Sequence, residues 1–544
     1  MTARADLLIT HARPWSDGAK LGGSDAVAIE DSRILAVGRE ADLRELAGPL
    51  TRHLDARGGT VTPGCWDAHL HLLPWARARN ELDLAGAASA SEVASRLGAH
   101  LAAHPGRGPV VGRGWDREDW PDAPHRALLD SVSASRPVLL HSRDFHALWV
   151  NSAALMSANV NAATADPSGG LIERDGTGAP TGVLRENAVR FCSALEDEAA
   201  REGVAPLDLL ARAARELHAM GITAVHDFER GEGAFRTMER FARGPAPSLR
   251  VLQCVGPEDL ERVRALGLRS GDGDDRFRVG PLKLFADGTL GSRTAALLAP
   301  YDHTDSCGLE VLPPADLADW VRRGSEAGLT IAVHAIGDRA CRNALDAIES
   351  IVPRPASVAV RGEPAAMVPP CRLEHVQLLT AEDAPRFAAL GVAASMQPLH
   401  CVSDSEMARR YWGARCERSY PWRTLLDRGT LLAFGSDAPV ESPSIAAAIG
   451  AALTRCRNDG TPPGGFVPAQ RIGLDAALTA FTAGGARLAG VWPRLGSLRA
   501  GSLADVVIWD RDLHAAPAAR LHEARPSCTV GHGVILFERR PGAE

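Results

Sequence analysis

The chain opens with short apolar runs separated by turn signals. Asp6-Leu7-Leu8-Ile9-Thr10 and Asp25-Ala26-Val27-Ala28-Ile29-Glu30 read as strands, Asp31-Ser32-Arg33 as a turn, and Ile34-Leu35-Ala36-Val37-Gly38 as a hairpin partner. The far end has the same character, in Ala504-Asp505-Val506-Val507-Ile508-Trp509 and Val534-Ile535-Leu536-Phe537. Neither end is long enough to form a stable sheet alone. The pattern therefore predicts one small β-sandwich built from both termini, residues 1–61 and 488–544.

Between these ends, apolar strand-like runs alternate with Ala/Leu/Arg-rich helical runs. The strands are predicted at 222–227, 250–255, 279–285, 329–334, 371–376, 391–396 and 431–437. Thr62-Pro63-Gly64-Cys65-Trp66-Asp67-Ala68-His69 precedes them and brings the count to eight, the number that closes a parallel β/α barrel. The expected fold is thus an α/β chain whose (β/α)8 TIM barrel occupies residues 62–487. Residues 73–205 form an insertion after the first barrel strand, with its own strand at Pro137-Val138-Leu139-Leu140-His141 and several Trp.

Composition narrows the class. Against 67 acidic residues stand 60 Lys and Arg, a net charge of -7, which argues against a nucleic-acid partner or an anionic membrane surface. No apolar run approaches the roughly 18 residues of a spanning helix, and the first residues carry no secretory signal. A cytoplasmic protein is expected. The ten Cys show no CxxC spacing, so neither a zinc knuckle nor a disulfide framework is indicated.

Only two of the basic residues are lysines, Lys20 and Lys283. Lys20 sits in a polar stretch, but Lys283 lies inside Val279-Gly280-Pro281-Leu282-Lys283-Leu284-Phe285. A chain that uses Arg nearly everywhere keeps Lys where Arg cannot serve, because a buried Lys can lose its proton and react.

Other candidates lie at the ends of predicted strands. His69 and His71 are two apart, so a strand would aim both imidazoles the same way. His334 ends one strand, His375 follows Leu373-Glu374, and Asp437 ends the last. In a β/α barrel these ends share one mouth, where active sites form. Four His, one carboxylate and one modifiable Lys suit two divalent cations, zinc first, with manganese, iron or nickel also accepted. A free ammonium at Lys283 would repel them. A lysine carbamate, formed with carbon dioxide, is anionic and could bridge both.

These residues fall in motifs that resemble the metal-dependent amidohydrolase superfamily, in particular amidohydrolase family 3, the branch that includes N-substituted formamide deformylase. The matching stretches are Pro63 to His71, Lys283 to Ala296, Val333-His334-Ala335-Ile336-Gly337-Asp338, Leu373-Glu374-His375, Ser395 to His400, and Gly435-Ser436-Asp437-Ala438-Pro439-Val440. The resemblance implies that His69, His71 and Asp437 hold one metal, His334 and His375 the second, with carboxylated Lys283 and a hydroxide between them. It implies attack on a polarised carbonyl, with Asp437 moving the proton to the leaving nitrogen. It also places the insertion over the barrel mouth and implies a homodimer.

The pocket is expected to draw on Trp115 of Gly114-Trp115-Asp116, on Phe145 and His146, and on His226, Asp287 and His400. Phe145 departs from the family, which has a small residue there. His226 is alternatively a support for the metal ligands, and Asp287 alternatively part of a plain turn. The expected substrate is a small amide, formamide or cyclic amide. The alternatives are a mononuclear deaminase or an esterase on the same scaffold, or a non-catalytic metal-binding protein.

Overall fold

The computed structural model describes residues 4–540, except 80, 118–119, 202–203, 232, 247 and 352–368. Eight parallel strands form one sheet: β1 (Cys65–Leu70), β2 (Ile222–Asp227), β3 (Arg250–Val255), β4 (Phe277–Phe285), β5 (Ile331–Ala335), β6 (Arg372–His375), β7 (Ala393–Met396) and β8 (Leu432–Phe434). The strands are buried along nearly their whole length. Their continuous apolar runs follow from burial on both faces. The intervening helices are amphipathic. The helix Pro206–Ala219 buries Leu209, Leu210, Ala213, Ala214 and Leu217 and exposes Arg212 and Arg215.

The first and last strands are joined at the mouth. The N–H of Asp437 donates to the His69 carbonyl at 2.7 Å, and the N–H of His71 donates to the Ala438 carbonyl at 2.8 Å. Below them the Asp67 carboxylate accepts from the Ser436 N–H at 2.9 Å and from its hydroxyl at 2.6 Å. These bonds close the barrel.

The predicted first strand differs from the structure. Residues Thr60–Pro63 pair within the terminal sandwich, and only Cys65–Leu70 enter the barrel. The break falls at Gly64, where a Cβ would lie 2.2 Å from Thr223 Oγ1. His71 stands just beyond β1, at the start of a short helix.

The sandwich draws strands from both chain ends. A four-stranded sheet (residues 5–55) faces a six-stranded sheet that mixes Arg13–Ser16, Ala19–Lys20 and Thr60–Pro63 with Val506–Trp509, Pro526–Gly531 and Val534–Glu538. Leu7, Ile9, Val27 and Ile29 meet Val61, Val506, Ile508 and Val530 between them. A buried bidentate pair of Arg250 with Asp505, both contacts at 2.8 Å, fastens this layer to the foot of β3.

The insertion carries a separate six-stranded sheet, including Val110–Trp115, Val138–Ser142, Ala147–Val150 and Pro180–Glu186. It is tied to the loop after β4. Thr289 Oγ1 donates to Asp144 at 2.5 Å, and Thr294 Oγ1 donates to Glu186. Arg143 pairs with Asp404 at 3.1 Å from the other side.

Candidate metal centre

At the mouth, His69, His71, His375 and His400 surround the Asp437 carboxylate. His69 Nε2 and His71 Nε2 lie 3.5 and 3.4 Å from Asp437 Oδ1. His400 Nε2 and His375 Nδ1 lie 3.6 and 4.0 Å from Oδ2. Two groups of donors are close enough to share an ion: His69, His71 and Asp437, and His375, His400 and Asp437. Imidazole nitrogens with a carboxylate are a donor set for zinc and neighbouring divalent metals.

Backbone strain helps build this arrangement. In a strand, neighbouring residues face opposite ways, so His375 after inward-facing Glu374 would point out of the barrel. A left-handed φ of 76° at His375 turns its ring back toward His69, with centroids 4.9 Å apart. Asp437 is also left-handed, at φ 60°. Such conformations are costly for residues other than glycine and gather at functional sites.

Each imidazole is oriented by a partner. His69 Nδ1 meets Glu374 at 2.6 Å, His375 Nδ1 meets the Gln397 side-chain oxygen at 2.8 Å, and His71 Nδ1 approaches Glu229 at 3.4 Å. Burial holds His69, His334 and His375 neutral, well below the usual imidazole range. Burial also acts on His71, but the carboxylates of Asp437 and Glu229 outweigh it and raise it to about 9. Asp437 is held below the usual carboxylate range; burial opposes this, and the imidazoles of His69 and His71 overcome it.

Lys283 lies beside this cluster, fully buried, and its Nζ makes no hydrogen bond. It rests over the rings of Phe228 and Phe285, at 4.7 and 4.8 Å. Burial brings its pKa down to about 8. Its amine, close enough to Glu374 and Asp437 to feel their charge, is left without a hydrogen-bond partner. His334 belongs to neither donor group among the described residues. Its Nε2 lies 3.1 Å from the Gly288 carbonyl, and its ring is 4.4 Å from His375.

A cavity of about 880 Å³ opens above the cluster, lined by the six predicted ligands together with His400. From the insertion, Trp115, Phe145 and His146 also line it. Trp115 is nearly sealed, its indole N–H donating to the Leu140 carbonyl at 2.7 Å, so it presents little surface to a ligand. Phe145, at φ 61°, stacks on His141 at 5.1 Å. His146 lies 2.6 Å from Glu186, which raises it to about 9 against the effect of burial.

Two expected pocket residues are placed elsewhere. His226 is buried within the barrel and accepts a hydrogen bond from Arg372 at 2.7 Å. Asp287 gathers the N–H groups of Ala296, Ile336 and Gly337 at 2.8, 3.0 and 2.8 Å. Neither lines the cavity, because β2 aims His226 inward and backbone donors consume Asp287. His400, expected on the pocket wall, lines the cavity and also joins a donor group. Sequence reasoning missed the roles of Glu374, Gln397 and Glu229. The first two were visible only as residues within the quoted motifs.

The fold and site define a (β/α)8 protein with a candidate metal centre at the C-terminal ends of its strands. The sequence pattern of the amidohydrolase family matches residues 52–537. The putative amidohydrolase YtcJ of Bacillus subtilis is 30% identical over 95% of this chain and 96% of its own. N-substituted formamide deformylase of Arthrobacter pascens is 29% identical over 99% of both. An uncharacterized metal-dependent hydrolase of Pyrococcus horikoshii superposes with a TM-score of 0.74 at 26% identity, over 94% of this chain and 99% of that one. The chain belongs to the amidohydrolase family. No helix among the described residues is long and apolar enough to cross a membrane.

Proposed function

We propose that this protein is a metal-dependent hydrolase that cleaves a non-peptide carbon–nitrogen bond in a small amide, formamide or cyclic amide. The observation that carries the reading is the Asp437 carboxylate, held between four imidazoles beside the orphaned amine of Lys283. His69, His71, His375 and Asp437 would hold divalent metal, zinc first, with His334 or His400 completing the second position. Bound there, the metal would polarise the scissile carbonyl and make water a nucleophile at neutral pH.

The chain's own residues do the rest. Lys283, with its pKa near 8, has a neutral fraction at physiological pH that can add carbon dioxide. The nitrogen–carbon bond forms, one proton leaves, and an anionic carbamate results. Asp437 takes the proton of the attacking water at a carboxylate oxygen and delivers it to the leaving nitrogen. His146, charged by its contact with Glu186, would donate to a substrate oxygen. The insertion contributes Trp115, Phe145 and His146 to the cavity wall and would shield the reacting atoms from bulk water.

Metal analysis together with a screen of N-formyl and N-acyl amines tests this reading. About two metals per chain and turnover of such an amide are expected. Lys283→Ala should lose both, and a short carboxylic acid should restore part of the activity. Unchanged metal content and turnover in that variant would overturn the reading. A second reading, a mononuclear deaminase or esterase, is favoured by one observation: both donor groups use the same carboxylate, Asp437. One metal per chain would select it.

A further inference from the structure

The barrel lends five imidazoles to the cavity wall, and four of them spend one nitrogen on an acceptor. His69 Nδ1 meets the Glu374 carboxylate at 2.6 Å, and His71 Nδ1 approaches Glu229 at 3.4 Å. His375 Nδ1 meets the Gln397 side-chain oxygen at 2.8 Å, and His334 Nε2 faces the Gly288 carbonyl at 3.1 Å. An acceptor requires the proton on the nitrogen it faces, so the other nitrogen of each ring keeps its lone pair for a metal.

His400 is the exception. Its Nδ1 meets the side-chain nitrogen of Gln377, a donor, at 3.4 Å. Nδ1 therefore accepts, and the ring proton sits on Nε2. Reversing the Gln377 amide would set a bare Nε2 against Asp437 Oδ2, two lone pairs facing across 3.6 Å, which the charge of the carboxylate disfavours. The Nε2–H is buried and has no hydrogen-bond partner among the described residues. An unpaired buried donor is costly to keep, and this one stands beside the reacting carboxylate.

The same sorting bears on the second donor group. The His375 nitrogen that lies 4.0 Å from Asp437 Oδ2 is Nδ1, already spent on Gln397. Through these nitrogens, an ion shared by His375, His400 and Asp437 would meet a proton on both rings. The His400 ring lies parallel to that of His375, with centroids 6.0 Å apart and 6° between planes. It is carried by the short helix Pro398–Ser403 directly after β7, which fixes it at the rim of the centre.

We infer that His400 is a catalytic hydrogen-bond donor rather than a metal ligand, its Nε2–H binding the scissile carbonyl oxygen as that oxygen gains negative charge. This inference rests on the hydrolytic reading above, and it leaves the second metal position to His334. A donor aimed in advance at a charge that develops only during attack stabilises the transition state more than the ground state. Asp437 cannot serve there, because an ionised carboxylate only accepts. The bond needs no proton transfer from His400, so Asp437 alone carries the proton from water to nitrogen.

The test compares His400→Leu, His400→Gln and His334→Ala in the zinc-loaded protein. His400→Leu should keep the metal content of the wild type while kcat on an N-formyl amine falls about 100- to 1000-fold, the usual effect of removing one such donor, with KM little changed. His400→Gln, which retains an N–H donor, should recover part of kcat. The absorption bands of the cobalt-substituted protein should be unaltered in both His400 variants and altered in His334→Ala, which should lose one metal.

Binding of methylphosphonate, a stable tetrahedral oxyanion, gives a readout independent of turnover. It should weaken at least tenfold in His400→Leu and partly recover in His400→Gln. Loss of a metal, or changed cobalt bands, in His400→Leu would overturn the inference alone, since His400 would then be a ligand. Wild-type kcat in that variant would overturn it too. Phosphonate binding that depends on His400, in a protein that hydrolyses no amide, would overturn the hydrolytic reading and leave the donor standing. Melting curves of each variant separate these outcomes from misfolding.

Discussion

Glu374 grips His69 from beneath the candidate metal centre, with Oε2 2.6 Å from Nδ1 and both side chains sealed from solvent. The imidazole is neutral, so Nδ1 carries the proton it donates to the carboxylate and Nε2 is left with its lone pair toward the mouth. The other carboxylate oxygen of Glu374 pairs with Arg372 Nε at 2.8 Å, and Arg372 reaches His226. A buried chain of four side chains thus fixes one candidate ligand.

Replacing Glu374 with Gln should therefore weaken metal binding by about 10- to 100-fold, the usual effect of removing the support of a ligand histidine. A competition titration against a chelator measures it. The same change leaves Arg372 without a buried counter-charge, so the melting temperature should also fall. A variant with wild-type metal affinity would show that Glu374 serves the barrel interior only.

Lys283 predicts a pH effect in the metal-free protein. Its pKa is near 8 when folded and 10.5 when unfolded, so between these values the unfolded chain binds more protons. Stability must then rise as pH climbs from about 8 to 10.5, by an amount on the order of 3 kcal/mol from this group. Denaturant titrations of the wild type and Lys283→Met across that range should differ in slope, with the variant flatter. Parallel profiles would contradict the buried ammonium.

Asp505 should matter at the opposite extreme. Burial opposes its ionisation, but Arg250 lowers its pKa below the ordinary carboxylate value. The stability it contributes is complete above about pH 4 and is lost as pH falls through its depressed folded value. At neutral pH, Asp505→Asn would strand Arg250 in the junction, and a loss of about 3–5 kcal/mol is expected. Urea unfolding monitored by the intrinsic Trp signal reports it.

Gly435 lies where the barrel closes. A Cβ there would stand 2.4 Å from the His69 backbone nitrogen and 2.8 Å from Asp67 Oδ1. Gly435→Ala should push β8 from β1, separating Asp437 from His69 and His71. A destabilisation of about 1–3 kcal/mol is expected for such overpacking, with metal affinity falling further than stability alone explains. Isothermal titration with zinc, at a temperature where the variant remains folded, distinguishes the two effects.

The amino-acid sequence alone determined the features that depend on local pattern. Continuous apolar runs marked the barrel strands because burial on both faces leaves no alternation to read. His69 with His71, Lys283 within an apolar run, and Asp437 beyond the last strand were visible from residue type and spacing. The run across Gly64 was read as one strand, since nothing local shows that its two halves serve different sheets.

Tertiary structure decided which of these side chains meet. Glu374 lies 305 residues from His69, and only the order of strands around the barrel brings them together. Left-handed backbone at His375 and Asp437 reverses the direction that strand alternation assigns, and no residue type at those positions announces it. For the same reason His226 and Asp287 turned away from the cavity while His400 turned toward Asp437: side-chain direction depends on register and on distant hydrogen-bond partners, which the one-dimensional pattern does not contain.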